Sequence, residues 1–242
     1  MRKFRNLTLI GTSHISQQSV EEVTRTIEEI KPAVVAIELD KNRFISLTKK
    51  QERKLKFSDI KKIGLKGYLF ALIGSYIQKK LGKLVNVEPG AEMLAAINAA
   101  KKHKLKLALV DQPIEITMKR LSQELTWREK FRFVGDFFRG MIFRKRELKR
   151  YGLEEFDLTK VPEERIVQKM IGELRQRYPS LYKVLIEERN QVISKNLVGL
   201  IKQDPEQHIV AVIGAGHEAD LLKLIKKDFK ESQFTKIDER GV

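Results

Sequence analysis

The sequence contains no cysteine and no long hydrophobic run, and each absence excludes several classes of protein. Without cysteine there is no disulfide framework, thiol catalysis, iron–sulfur cluster or structural cysteine-zinc site. The most apolar uncharged stretch, residues 67–78, is too short to cross a bilayer. Glycine makes up only 14 of the 242 residues, which excludes a collagen-like repeat. Because 42% of the residues are hydrophobic, the chain can build a folded core, and disorder is excluded.

Positive charge is in excess, and it is concentrated in two segments. The chain has 48 lysine and arginine residues against 32 acidic ones, a formal charge of +16. Residues 49–83 hold eleven basic and two acidic residues, and residues 128–150 hold nine and three, so these segments carry 15 of the 16 charges. Their basic residues flank apolar and aromatic runs, which is typical of interfacial helices. The segments are interpreted either as solvated faces of a helical core or as a surface for an anionic membrane or membrane protein; nucleic acid is disfavoured.

Short β-branched and apolar runs predict the strands of the fold. They are residues 7–10, 33–39, 105–110 and 208–213, with 234–237 as a last edge strand. A helical pattern lies between the first two runs and stops at Lys31-Pro32, which predicts a βαβ unit. Further helical patterns cover most of residues 41–103 and 113–203, and a helix is predicted at 218–229.

This order of elements predicts an α/β fold with one domain over residues 1–242. We expect a mainly parallel (mixed) central sheet, built from the N- and C-terminal segments, with a large, basic, helical insertion or cap. The sheet core is predicted in residues 1–40, 84–112 and 205–242, and the cap in residues 41–83 and 113–204. A basic start followed by a short apolar run and no cleavage site predicts no secretory leader. We therefore expect a cytoplasmic or peripherally membrane-associated protein.

Two histidines occur in the same local pattern after predicted strands. His14 follows Gly11 by three positions, and His217 follows Gly214 by three positions, with Gly216 between them. The chain has only four histidines, so this repeated Gly-x-x-His pattern indicates a shared site. Carboxyl ends of parallel strands meet at one edge of a sheet, where ligands bind.

Carboxylates and an arginine follow the other two strands. The second strand ends in Glu38-Leu39-Asp40 with Arg43 just beyond it, and the third ends at Asp111. Two imidazoles and a carboxylate suit a divalent transition metal such as Mn, Fe, Co or Zn, and an open coordination position would activate water. Glu38 is the expected ligand or general base, and Arg43 the expected partner of a substrate carboxylate or oxyanion.

Structural roles for the same residues stay open at this point. Either histidine could be a helix cap or a buried imidazole with satisfied hydrogen bonds. Asp111 lies two residues before Pro113 and could be a helix N-cap. Glu38 could simply pair with Arg43.

A competing motif occupies the last predicted strand. Residues 209–219 match the strand–GxGxxA–helix form of a dinucleotide fingerprint, with Asp238 about 20 residues later. Only 23 residues follow Ala219, too few for the second half of a dinucleotide-binding fold. NAD or FAD is therefore disfavoured.

Four sequence blocks occur in the order of a known family. They are LIGTSHISQQSVEEV…IKPAVVAIELDKNRF, PGAEMLAAINAAKKHKLKLALVDQPIEITMKRL, EERNQVISKNL and VAVIGAGHEADL. With these blocks the chain resembles the TraB/PrgY pheromone-shutdown family, part of a wider group with Tiki proteases, GumN-like proteins and, more distantly, ChaN and erythromycin esterase.

The resemblance implies a set of site residues. Its metal ligands would be His14, His217 and Glu38. It further implies roles for Arg43, Glu92, Asp111, Arg120, Glu187 and Arg189, with the arginines at 43 and 189 orienting substrate and Glu187 or Asp111 in support. The family usually has arginine where this chain has Gln112 and aspartate where it has Asn190; a neutral Gln–Asn pair could replace a salt bridge there.

The resemblance also implies a function. It predicts a metal-dependent hydrolase, a metallopeptidase, that inactivates or processes a peptide such as a signalling peptide. The alternative is a non-catalytic protein that sequesters a peptide, or associates with a membrane, through the same pocket. Many relatives carry C-terminal transmembrane helices, so this chain is expected to be a soluble member or the soluble domain of a membrane-anchored one. Homo-oligomerisation stays open.

Overall fold

A computed structural model gives the architecture, and it describes residues 1–12, 17–49, 60–62, 64–65, 68, 72, 90–142 and 164–238. The strands in these residues are β1 (Arg2–Phe4), β2 (Leu7–Thr12), β3 (Val34–Ile37), β4 (Lys106–Leu109) and β5 (Ile209–Gly214). The helices are α1 (Gln17–Ile30), α2 (Lys41–Thr48), α3 (Ala91–Lys102), α4 (Ile114–Glu124), α5 (Trp127–Ile142), α6 (Glu164–Arg177), α7 (Pro179–Tyr182), α8 (Glu188–Gln203) and α9 (Ala215–Asp238). A π-helical segment (Lys183–Glu187) joins α7 to α8.

The described strands form one mixed sheet in the order β1-β2-β5-β3-β4. Strands β2, β5, β3 and β4 are parallel, and β1 runs antiparallel to β2. The predicted α/β class and mainly parallel sheet are therefore confirmed. The C-terminal strand β5 lies between β2 and β3, so the two strands of the first βαβ unit are not neighbours. The carboxyl ends of the four parallel strands lie along one edge of the sheet, which we call the carboxyl edge.

Helices cover both faces of the sheet. Along β5, Ile209, Ala211 and Ile213 belong to the core that packs against α8 and α9. The alternate residues Val210 and Val212 belong to the core with α1 and α3. Burial on both faces explains why the parallel strands are continuous apolar runs in the sequence.

Two predicted features at the chain ends differ from the structure. Strand β1 was not predicted, because its sequence Arg-Lys-Phe contains no apolar run. Short, charged segments of this kind are common in exposed edge strands. The edge strand predicted at 234–237 is wrong, since these residues continue α9 to Asp238. Leu221, Ile225 and Phe229 recur every four residues along this helix and are buried, so helical packing prevails over a short β-branched run.

Helices α4 to α7 lie within the residues predicted as the helical cap, and α4, α6 and α7 share a small core of their own. Leu121, Leu125, Leu181 and Val184 are buried together in a separate small core. Most of residues 41–83 and part of the basic segment 128–150 lie outside the described residues. At the start of α5, exposed Trp127 and Phe131 stack with ring centroids 6.1 Å apart. The expected membrane contact stays a prediction.

No helix in the part of the chain that the structure describes combines the length and the apolarity that crossing a bilayer requires.

Candidate active site at the carboxyl edge

Three elements bring polar side chains together at the carboxyl edge. Glu38 follows β3, Asp111 follows β4, and His217 lies in the first turn of α9 after β5. All three residues are buried, with 4%, 8% and 6% of their surface exposed. Arg189 enters from α8 and contacts all three. The second predicted histidine, His14, lies outside the described residues.

Arg189 is the centre of this cluster. Its Nη2 donates to Glu38 Oε1 and, over 2.6 Å, to Asp111 Oδ2. Its Nε lies 3.2 Å from both carboxylate oxygens of Asp111. Its Nη1 donates to the Leu185 carbonyl over 3.2 Å and lies 3.3 Å from His217 Nε2. One guanidinium thus links two strand ends, a helix and the imidazole.

Burial and charge act in opposite directions on Arg189. Burial by itself lowers the pKa of the guanidinium, but the carboxylates of Glu38 and Asp111 more than offset it and raise the pKa above its ordinary value. Arg189 is therefore a permanent positive charge in the site.

Glu38 is held at both of its carboxylate oxygens. Oε1 accepts from Arg189, and Oε2 accepts the backbone N–H of Gly214 over 2.6 Å. Gly214 directly precedes α9, so the Glu38 carboxylate lies at the positive end of the helix dipole. The alternative in which Glu38 pairs with Arg43 is wrong, because its guanidinium partner is Arg189.

Arg43 joins the same network through different carboxylates. Its Nε donates to Asp40 Oδ2 over 2.6 Å, and its Nη2 donates to Asp111 Oδ2. Asp40 is the N-cap of α2 and accepts the backbone N–H groups of Asn42 and Arg43. Asp111 is not an N-cap, since Pro113 holds that position in α4. The Arg43 side chain is 30% exposed, against 13% for Arg189, so Arg43 lies nearer to solvent.

His217 is oriented by a side chain from α8. Its Nδ1 lies 2.7 Å from the amide oxygen of Asn190. An amide oxygen accepts only, so this contact favours a proton on Nδ1, which in the neutral imidazole leaves Nε2 as the acceptor. Nε2 faces Arg189 Nη1 and lies 3.5 Å from Glu38 Oε1. Asn190 thus fixes the orientation of the ring.

Two positions where the family usually has charges have separate partners here. Gln112 Nε2 donates to the Thr117 hydroxyl over 2.8 Å, whereas Asn190 accepts from His217. The sequence suggested that Gln112 and Asn190 pair with each other. In the structure, Thr117 and His217 are their respective partners instead.

Arg120 stabilises the helix that carries Arg189. Its guanidinium donates to both carboxylate oxygens of Glu188, over 3.1 and 2.7 Å, and lies 2.9 Å from Glu124. The hydrogen bonds to Glu188, and secondarily Glu124, raise the pKa of Arg120 above its ordinary value. Sequence analysis selected Glu187 instead of Glu188. Glu187 lies near Tyr182, whose pKa is raised by burial and then by the charges of Asp220 and Glu187.

The remaining predicted residues shape the surroundings. A Cβ on Gly11 would lie 2.6 Å from Glu218 Oε2, and one on Gly216 would lie 3.3 Å from an Ile171 methyl group, so both glycines permit close packing. Glu92 is buried in the first turn of α3, where the helix dipole favours a carboxylate.

The described residues do not fit a divalent ion as they stand. Among them, no group of three or more histidine and acidic side chains is arranged to hold one. Glu38 Oε1 and His217 Nε2 are close enough to share an ion, but both face the Arg189 guanidinium. The metal predicted at His14, His217 and Glu38 stays a prediction.

Comparison with known proteins gives the family. The model of the TraB/PrgY/gumN family matches residues 2–228, so the chain belongs to this family. It is 34% identical to an uncharacterized protein of Methanocaldococcus jannaschii over 224 residues, 92% of this chain and 54% of that protein. TraB domain-containing proteins of Mus musculus and Homo sapiens are 26% and 25% identical over 86% of the chain, which covers 60% of each. The chain thus spans a little over half the length of these relatives.

Proposed function

We propose that this domain is a hydrolase that cleaves an amide or ester bond of a peptide substrate, with His217 as the general base. The observation that carries the proposal is the 2.7 Å contact of His217 Nδ1 with Asn190 Oδ1, which turns Nε2 toward Glu38 and Arg189. In parallel sheets, ligands bind at the carboxyl edge, where this cluster lies. The peptide substrate follows from the family resemblance.

The proposed reaction uses water as the nucleophile. The contact between Arg189 Nη1 and His217 Nε2 opens first, and Nε2 then takes a proton from water as the water oxygen bonds to the substrate carbonyl carbon. The carboxylate of Glu38, 3.5 Å from Nε2, stabilises the imidazolium that forms. When the bond to the leaving group breaks, the imidazolium returns the proton to the leaving nitrogen or oxygen.

The guanidinium groups stabilise the negative charge that develops on the carbonyl oxygen. Arg189 acts through its positive charge, because its N–H groups already face Glu38, Asp111, Leu185 and His217, and the two buried carboxylates hold that charge in place. Arg43 is the more exposed of the two and is suited to orient the substrate at the entrance.

A metal-dependent hydrolase is the second candidate. It is favoured by the 3.5 Å between Glu38 Oε1 and His217 Nε2, because two ligands of a tetrahedral zinc ion lie about 3.4 Å apart when each bond is about 2.1 Å. An ion bound by His14, Glu38 and His217 would activate water, but Arg189 would first have to leave Glu38.

The test is product analysis with protein lacking a histidine tag. Short peptides with free and blocked termini, and the corresponding esters, are incubated in ¹⁸O-labelled water, and the products are analysed by mass spectrometry. We expect one ¹⁸O atom in each new carboxyl group. Glu38→Gln is expected to abolish cleavage, whereas Glu29→Gln, at a residue whose side chain is 68% exposed, is expected to retain it. Peptide binding without cleavage would contradict the hydrolase and support the sequestering alternative.

A further inference from the structure

Glu38 Oε1 and His217 Nε2, the two atoms that would bind a divalent ion, both face the Arg189 guanidinium. Nη2 donates to Glu38 Oε1, and Nη1 lies 3.3 Å from His217 Nε2. The same Nη2 also donates to Asp111 Oδ2. An ion and the guanidinium would therefore compete for the same oxygen and nitrogen atoms.

Arg189 is also firmly anchored in this position. Its hydrogen bonds include the Leu185 carbonyl, in the π-helical segment one turn earlier. Its side chain is 13% exposed, and those of Glu38 and Asp111 are 3% and 0% exposed. Removing the guanidinium would leave two buried carboxylates without this charge, which is strongly unfavourable.

We infer that Arg189 is the resident cation of this site, so that its guanidinium and a divalent ion exclude each other at Glu38 and His217. The positive charge that a metal would bring to the developing oxyanion comes from the arginine instead. The catalytic half of this inference, hydrolysis without a metal, rests on the proposed function. The exclusion itself does not, since it concerns only binding.

Removal of Arg189 should then create metal affinity. In Arg189→Met, Glu38, Asp111 and His217 lose their common partner and become available as ligands. Titration calorimetry with MnCl₂ and ZnCl₂ is expected to give a dissociation constant at least tenfold lower than that of the wild type, a gain of about 1.4 kcal/mol in binding free energy. Arg189→Lys retains a positive charge and is expected to show a smaller gain. The double variant with His217→Ala should lose the gain.

A matched control separates the site from a general effect of removing an arginine. Arg177 in α6 also forms a bidentate pair with a carboxylate, that of Asp136 in α5, whereas Arg189 lies in α8 and pairs with Glu38 and Asp111. Arg177→Met is expected to leave metal affinity unchanged. A gain in Arg177→Met equal to that in Arg189→Met, or no gain in a folded Arg189→Met, would overturn the inference.

The wild type provides a test that does not depend on a variant folding. With a tenfold excess of Mn²⁺, paramagnetic broadening of the Gly214 and His217 amide signals in NMR spectra is expected to match that of distant amides. Selective broadening of these two signals would overturn the exclusion.

If the wild type cleaves no peptide but Arg189→Met gains metal affinity, the proposed hydrolase activity is wrong and the exclusion of metal by Arg189 stands. If cleavage is lost with a chelator and restored by metal, hydrolysis without a metal is overturned.

Discussion

His217→Ala is expected to lower kcat/KM for peptide hydrolysis about 1,000-fold, within the range that a general base contributes. The substitution removes the nitrogen that takes the proton from water, while Glu38 and Arg189 retain each other. Initial rates at saturating and limiting substrate give kcat and KM separately. We expect the loss in kcat, because His217 acts on the reacting water rather than on substrate binding.

The control for this substitution is a second histidine of the same sheet. His208 precedes β5 at the opposite edge, and its Nε2 lies 3.0 Å from the Thr8 hydroxyl. His208→Ala is expected to keep kcat/KM within about twofold, since substitutions away from a site change free energies by about 0.5 kcal/mol or less. Equal losses in the two variants would contradict the assignment of His217.

Asp111→Ala is expected to destabilise the fold by about 3–5 kcal/mol, the cost of breaking a buried ion pair from one side. The Asp111 side chain is fully buried and accepts from both Arg43 and Arg189. Without it, the guanidinium groups face each other with less compensating charge. Urea denaturation followed by circular dichroism gives the free energy of unfolding.

An exposed ion pair provides the comparison for Asp111. Glu29 lies 4.0 Å from Arg25 on the surface of α1, and both side chains are about two-thirds exposed. Glu29→Ala is expected to change the free energy of unfolding by less than about 1 kcal/mol. A loss in Asp111→Ala as small as that in Glu29→Ala would show that the Arg43–Asp111–Arg189 contacts do not hold the site together.

The sequence predicted the strand ends because each parallel strand is a short apolar run followed directly by a glycine or an acidic residue. The acidic residues were Glu38 and Asp111, the Gly-x-x-His spacing indicated His217, and the topology brings the three together. It could not predict the strand order, since the insertion of β5 between β2 and β3 depends on tertiary packing. The failed edge strand at 234–237 shows the same limit, because the packing of a long helix overrides local propensity.

The contacts of α8 could not be read from sequence spacing. The π-helical segment before this helix changes the residues per turn, so an α-helical pattern assigns the wrong face to the residues that follow. Glu187 was implied by the family resemblance, whereas Glu188 forms the pair with Arg120 in the structure. The hydrogen bond from His217 to Asn190 joins two helices 27 positions apart, and a single sequence carries no signal for it.

The state of the His217 ring is the most direct test of the account, because the proposed chemistry needs an unprotonated Nε2 in the neutral ring. Long-range ¹H–¹⁵N NMR of the imidazole, with Asn190→Ala as the reference, distinguishes protonated from unprotonated ring nitrogens without any substrate. For the neutral ring we expect a protonated Nδ1 and an unprotonated Nε2, with this preference weakened in Asn190→Ala. A neutral ring protonated at Nε2, in the wild type, would contradict the account.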